Sequence, residues 1–166
     1  MAGSTFGGYS GQALSPAGDK GRFVLPPDFR NAVRESSDGR ILCLDKHARL
    51  KCLVGFGLSR HDELEAQLTR QEEAAWARGD DFDRDTRASQ LFGYRKLSFD
   101  DSGRFIMPDH FAKLAGLGDM LYFHGGGRFF TVWNPAELFR MGEDWATAKA
   151  ACESLMAEAA AKGKKK

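Results

Sequence analysis

The chain has 166 residues, of which 24 are basic and 23 acidic, so its formal net charge is +1. That length makes one or two small domains, and 42% hydrophobic with 28% charged residues is the make-up of an ordinary globular protein rather than a disordered or fibrous one. A charge this close to zero argues against a binder that relies on bulk attraction to nucleic acid.

No stretch reaches the roughly 20 apolar residues of a membrane span. Residues 1–5 lack the basic-then-apolar pattern of a secretory signal. Cys43, Cys52 and Cys152 form no Cys-x-x-Cys pair, so free thiols, no membrane partner and cytoplasmic residence are expected.

Residues 6–15 are glycine-rich with interspersed aromatics and read as a loop or an irregular first strand ending in Leu14-Ser15. Gly18-Asp19-Lys20-Gly21-Arg22 reads as a turn, because Asp favours turn entry and Gly takes positive φ without Cβ strain. Phe23-Val24-Leu25 is a short run of strand formers, stopped by Pro26, which cannot donate to a sheet. Strand, tight turn and strand together predict a hairpin. Pro27 then suits the first position of a helix, with Asp28 near its positive end. Phe29, Ala32 and Val33 share one face of that helix. Residues 41–44 and 49–54 predict a further hairpin around 45–48. A helix is predicted over 59–78, with Ser59 and Asp62 as a capping pair, Leu64, Leu68 and Trp76 as its apolar face, and Gly79 as its stop. Residues 79–85 carry four aspartates and read as an exposed linker.

Residues 91–98 form another strand region, followed by the turn Asp100-Asp101-Ser102-Gly103-Arg104, the strand Phe105-Ile106-Met107, and a short helix after Pro108 with Phe111, Leu114 and Ala115 on one face. Residues 120–123 and 128–133 predict a hairpin around His124-Gly125-Gly126-Gly127. Asn134-Pro135-Ala136-Glu137 has a capping Asn, Pro at the first helical position and Glu at the third. Beyond Gly142, which interrupts this helix, Trp145, Ala148, Cys152, Leu155 and Ala159 keep a helical spacing. Residues 161–166, rich in lysine, form a basic tail expected to be disordered.

Set against itself, the chain repeats. Asp19, Gly21, Arg22, Phe23, Pro26 and Phe29 recur as Asp101, Gly103, Arg104, Phe105, Pro108 and Phe111 at a constant offset of 82. Val24 and Leu25 are matched by the similar Ile106 and Met107. Leu14-Ser15 is matched by Leu97-Ser98 one residue out of step, and the later hairpins correspond at an offset of 79. A unit of turn, strand and short helix is too small to enclose a core alone. The two copies, 1–80 and 81–160, must therefore pack on each other or on another chain.

The repeated unit resembles the signature of the MraZ family, two half-repeats each with an Asp-x-x-x-Arg motif in a Gly-Arg-apolar-apolar-x-Pro setting. The likeness runs from about Phe6 to Trp145 and excludes the lysine tail. Asp100 and Arg104 fit the motif fully. The first copy departs, since Gly18 stands four before Arg22 and the acid is displaced to Asp19. The resemblance implies an α+β fold of two pseudo-symmetric AbrB-like halves, with interleaved β-hairpins and outer helices. It also implies closed-ring homo-oligomers and a sequence-specific, DNA-binding transcriptional regulator. That regulator would be a repressor of the division and cell-wall gene cluster, binding direct repeats of its own promoter in the nucleoid.

Arg22 and Arg104 are the leading candidate contacts, each behind a turn glycine, Gly21 or Gly103. A guanidinium there can fork onto phosphate oxygens or onto O6 and N7 of a guanine. The competing use is an ion pair within the fold, Asp100 with Arg104. In the family the arginine of the motif is associated with DNA binding, and that role carries over to these two positions. Lys20, Arg30, Arg95 and Lys96 lie beside the same turns and strands and would contact phosphate, which positions without specifying. His124-Gly125-Gly126-Gly127 has no Gly-x-Ser-x-Gly elbow to serve, and Gly116-Leu117-Gly118 follows a helix rather than a strand. The histidines have no metal-ligand spacing. No metal, cofactor or catalytic role is expected. Two other readings share these residues: an AbrB-like antitoxin, and a ring-forming scaffold without specific DNA binding.

Overall fold

The computed structural model describes residues 7–164. Phe6 of the glycine-rich stretch and Lys165 and Lys166 of the tail lie outside the described residues.

Strand β1 (Gln12–Pro16) leads through a 3₁₀ turn (Asp19–Gly21) into β2 (Arg22–Val24). Gly21 takes φ 74° and Lys20 φ 59° in this turn. Pro26 ends the strand and Pro27 opens α1 (Pro27–Ser37), which buries Phe29 and Val33. Then come β3 (Ile41–Lys46), β4 (Leu53–Phe56), α2 (His61–Ala77) and α3 (Arg84–Phe92). After α3, which already lies in the second copy, come β5 (Arg95–Ser98), β6 (Arg104–Ile106), α4 (Asp109–Leu114), β7 (Met120–Gly125) and β8 (Phe130–Trp133). Helices α5 (Pro135–Leu138) and α6 (Ala146–Lys164) close the chain. The fold is mixed α+β, and every paired strand is antiparallel.

The main sheet has six strands in the order β1-β7-β8-β4-β3-β5, and β2 with β6 forms a separate two-stranded ribbon. The strands flanking each Gly-Arg turn do not pair with each other as the sequence predicts. β1 instead pairs with β7, β5 with β3, and β2 with β6. Each turn is still closed by its own backbone bonds, Gly18 N–H to Arg22 O (2.7 Å) with Arg22 N–H to Asp19 O in the first, and Asp100 N–H to Arg104 O (3.1 Å) with Gly103 N–H to Asp100 O (2.9 Å) in the second. A three-residue strand finds a better partner in its own repeat. Phe23 stands opposite Phe105, the rings 6.5 Å apart, and both are buried. Beyond the strands, Leu25 N–H donates to Gly103 O (2.7 Å) and Met107 N–H to Gly21 O (2.9 Å).

One face of the main sheet joins the ribbon and α1 in a core that includes Phe23, Phe29, Leu42, Phe105, Phe123 and Phe130. The other face packs Cys52, Tyr122 and Trp133 against Leu138, Ala148 and Cys152 of α5 and α6. Asn134 caps α5 as expected, its Oδ1 accepting from Ala136 N–H at 3.1 Å.

Several expectations give way to tertiary partners. The β3–β4 connection runs over 47–52, longer than 45–48, because His47 Nδ1 accepts bonds from the Arg49 and Leu50 amides (3.1 and 3.0 Å) and winds the loop locally. The β7–β8 turn falls at 126–129 rather than 124–127, since β7 runs on to Gly125. Ser59 does not cap α2; its hydroxyl meets that of Ser36 at 2.6 Å, and the helix begins at His61. Trp76, expected on the apolar face, is 61% exposed. The acidic linker is interrupted by α3, capped by Asp83, whose carboxylate accepts from Thr86 N–H and Oγ1–H (3.1 and 2.7 Å). Arg84 ties α3 to α2 through Glu65 and Glu72. Residues 161–164, assigned to the disordered tail, continue α6 as helix.

Since Phe23 and Phe105 occupy one shared core, truncating either should weaken the whole chain. Phe23→Ala or Phe105→Ala is expected to lower stability by about 3 kcal/mol or more, read by guanidinium unfolding as one shifted transition. Two separate transitions, only one of them shifted, would mean the copies do not share a core.

Candidate nucleic-acid interface

The ribbon shows how six residues make a surface. In β2 and β6 only the middle residue is buried, so the underside holds Phe23 and Phe105. The outer side carries Arg22 and Val24 from one copy, Arg104 and Ile106 from the other. Antiparallel register sets Arg22 opposite Ile106 and Val24 opposite Arg104, so each guanidinium has an exposed aliphatic neighbour. Beside this face runs an open groove of about 900 Å³, whose lining includes Arg22, Arg95, Lys96, Asp100, Arg104 and Ile106. Four cations face one carboxylate there, so positive charge is concentrated although the chain as a whole is near neutral.

The two turns are chemically unequal. In the second, Asp100 clasps its own loop: Oδ1 accepts from the amides of Ser102 and Arg104, both at 2.9 Å, and Oδ2 from Arg104 Nε at 2.8 Å. The Arg104 amide above all, helped by its guanidinium and by the Ser102 amide, holds the Asp100 carboxyl below its ordinary 3.8. In the first turn Gly18 has no side chain to offer. The Arg22 guanidinium accordingly makes no hydrogen bond or ion pair among the described residues, and the Asp19 carboxylate makes none either. Asp101 pairs instead with Arg40 across the fold.

The remaining expected contacts divide. Lys20 is exposed at the tip of the first turn, and Arg95 and Lys96 are exposed on β5, an edge strand of the sheet. Arg30 is turned inward. Its Nε and one terminal nitrogen donate to Leu25 O, each at 3.3 Å, and it lies so close to Gly103 that a Cβ there would meet Nε at 2.5 Å. Gly103 (φ +85°) is thus required both by its backbone angle and by this contact. Val24 and Ile106 were absent from the sequence-based site; the period-two alternation of Arg-Phe-Val and Arg-Phe-Ile is the signal that places them beside the arginines.

Chemically, the face can present one unengaged guanidinium and a second held by a carboxylate, each on a rigid two-stranded support. Among the described residues no three His, Cys, Asp or Glu side chains are grouped to hold a metal. The three thiols are buried, and burial pushes Cys43, Cys52 and Cys152 up to about 11, 12 and 11, which leaves them protonated at neutral pH. No helix of the described residues is long and apolar enough to cross a membrane.

The architecture is that of an α+β protein whose duplicated Gly-Arg turns are joined in one ribbon. No protein-family model matches the chain. Among curated proteins it is 35% identical over 115 residues to a transcriptional regulator MraZ of Caulobacter vibrioides, covering 69% of each chain. It is 30% identical over 128 residues to that of Parvibaculum lavamentivorans, covering 76% of each. With the MraZ of Methylococcus capsulatus it shares 28% over 130 residues, 76% of this chain and 79% of the relative. The chain belongs to the MraZ family.

A depressed carboxyl stabilises the folded loop above its ordinary pKa and loses that contribution as pH falls through the folded value. The Asp100 clasp is therefore closed at neutral pH and opens only in acid. A carbon-detected NMR titration is expected to place the Asp100 midpoint below 3.8; a midpoint at or above that value would mean Arg104 is not held.

Proposed function

We propose that this chain is a sequence-specific, DNA-binding transcriptional regulator that reads the duplex with the β2–β6 ribbon. The observation that carries the reading is the outer face of that ribbon, where Arg22 and Arg104 stand exposed on a rigid pair of strands beside a groove rich in cations. A two-stranded ribbon is narrow enough to enter a major groove. The relatives' own name, transcriptional regulator, supports it.

In this reading Arg22 is the principal base contact, because nothing in its turn competes for it, and Arg104 is the weaker one, because DNA must displace Asp100. Lys20, Arg95 and Lys96 serve phosphates; Arg30 buttresses the second turn. The two copies are pseudo-symmetric halves with swapped, AbrB-like hairpins, 1–80 and 81–160. The strand order β1-β7-β8-β4-β3-β5 supports this, since it reads the same in reverse when corresponding strands are exchanged. The finer role follows the family resemblance: a repressor of the division and cell-wall cluster, acting in the cytoplasm at the nucleoid. Several subunits of a ring would engage direct repeats of its own promoter, and such linkage raises avidity without new contacts.

Fluorescence anisotropy on the DNA upstream of its own gene, against scrambled DNA, tests this. Arg22→Ala is expected to cut the preference for the native DNA about tenfold or more, the worth of one forked guanine contact, with melting temperature unchanged. Arg104→Ala should cost less. Gly18→Asp, which rebuilds the clasp in the first turn, should weaken binding in the same direction as Arg22→Ala. Equal, salt-sensitive binding to both DNAs, indifferent to Arg22, would sink the reading and leave a scaffold.

A further inference from the structure

A second cavity lies away from the ribbon, where the β3–β4 loop meets α2 and α3. Its volume is about 400 Å³, within the range of small-molecule sites. Cations reach it from three separate parts of the chain: Lys46 at the end of β3 with His47 and Arg49 of the loop after it, Arg60 from the turn before α2, and Arg87 from α3. Its apolar wall includes Phe56, Leu64 and Phe129. Asp45 is the one carboxylate in the lining, and burial pushes its pKa up.

The cations differ in what already occupies them. Lys46 Nζ is spent on the carbonyls of His47 and Leu50 (2.8 and 2.6 Å), so it fastens the loop. Arg60 is buried and satisfied by Glu63 (3.1 Å) and Gln67 (2.6 Å), so it is a wall. Arg87 is held in place by neutral partners only, Nε on Gln71 Oε1 (2.7 Å) and one terminal nitrogen on Gln90 Oε1 (3.1 Å). Its other terminal nitrogen makes no hydrogen bond among the described residues. Arg49 has no ion pair among the described residues. His47 Nδ1 is taken by two backbone amides, so the neutral ring keeps its proton on Nε2 as a donor.

Gathering this many like charges around one carboxylate is unfavourable, and the neighbours register it. Burial, then Arg49, lowers Arg87; burial, then Arg49, Lys46 and Arg87, lowers His47. A bound anion would relieve that repulsion, and a guanidinium already oriented by two amide oxygens loses little freedom on meeting it.

We propose that this pocket binds a small flat phosphomonoester, its phosphate between Arg49 and Arg87 and its ring on the Phe56–Leu64–Phe129 wall. Two guanidiniums match a dianion, and the aromatic wall takes a ring that free phosphate lacks. The site is independent of the ribbon and of its reading as a DNA surface.

Calorimetric titration of the full chain at low salt, with phenyl phosphate, inorganic phosphate and phenol as probes, tests it. Phenyl phosphate is expected to bind about tenfold tighter than either fragment. Arg49→Gln and Arg87→Gln should each weaken it about tenfold, the worth of one charged hydrogen bond. Arg49 is exposed and tethers nothing, so its variant keeps the fold even where Arg87→Gln does not. Arg22→Gln should change nothing, which separates this pocket from the groove beside the ribbon. Binding no tighter than inorganic phosphate, or lost with Arg22→Gln instead, overturns the proposal. So does a change of subunit mass by light scattering in the Arg49 variant without any change in the titration, which would make the pocket a contact between copies.

Discussion

The structure depends on the pairing of β2 with β6. Each strand has three residues, too few to hold itself in a sheet. Together they bury Phe23 against Phe105 and exchange the bonds Leu25 N–H to Gly103 O and Met107 N–H to Gly21 O. Each copy thus satisfies backbone groups that the other leaves open, and a buried amide without such a partner is costly. Pro26 and Pro108 end the two strands at once, so the starts of α1 and α4 are set by the same contact.

From that pairing the surface follows with little further freedom. Side chains in a strand alternate, so burying the phenylalanines obliges Arg22, Val24, Arg104 and Ile106 to face outward together. The difference between the arginines is then a matter of one neighbour. Asp100 occupies three donors of its own turn, whereas Gly18 occupies none. An exposed ion pair is worth little in water, so the clasp orients Arg104 more than it stabilises the fold. Mean composition hides this: acidic residues elsewhere, many on α2 and in the segment before α3, balance a locally cationic groove.

Much of this was legible in the chain alone because it rested on local chemistry. The repeat at offset 82 shows when the chain is set against itself, and the proline stops, the Gly21 and Gly103 turns and the Asn134 cap all depend on residues within one turn of each other. So did membership of the MraZ family, read from the motif. The misreadings share a cause. Ser59 fits a cap by spacing, but Ser36, distant in sequence, takes its hydroxyl. The segment before β5 reads as acidic linker, yet Asp83 caps a helix that α2 receives through Arg84. Arg30 looks like any solvated cation until Leu25 O and Gly103 are found beside it.

By itself the sequence determined the α+β composition, the duplicated turn-strand-helix unit and the arginine at each turn, because sterics, proline and glycine act over a few bonds. Only the tertiary structure decided which strand pairs with which, which arginine is held, and which cations share a pocket. Backbone donors and acceptors are alike at every residue but proline, so strand partnership is set by burial across the whole chain and not by any local pattern.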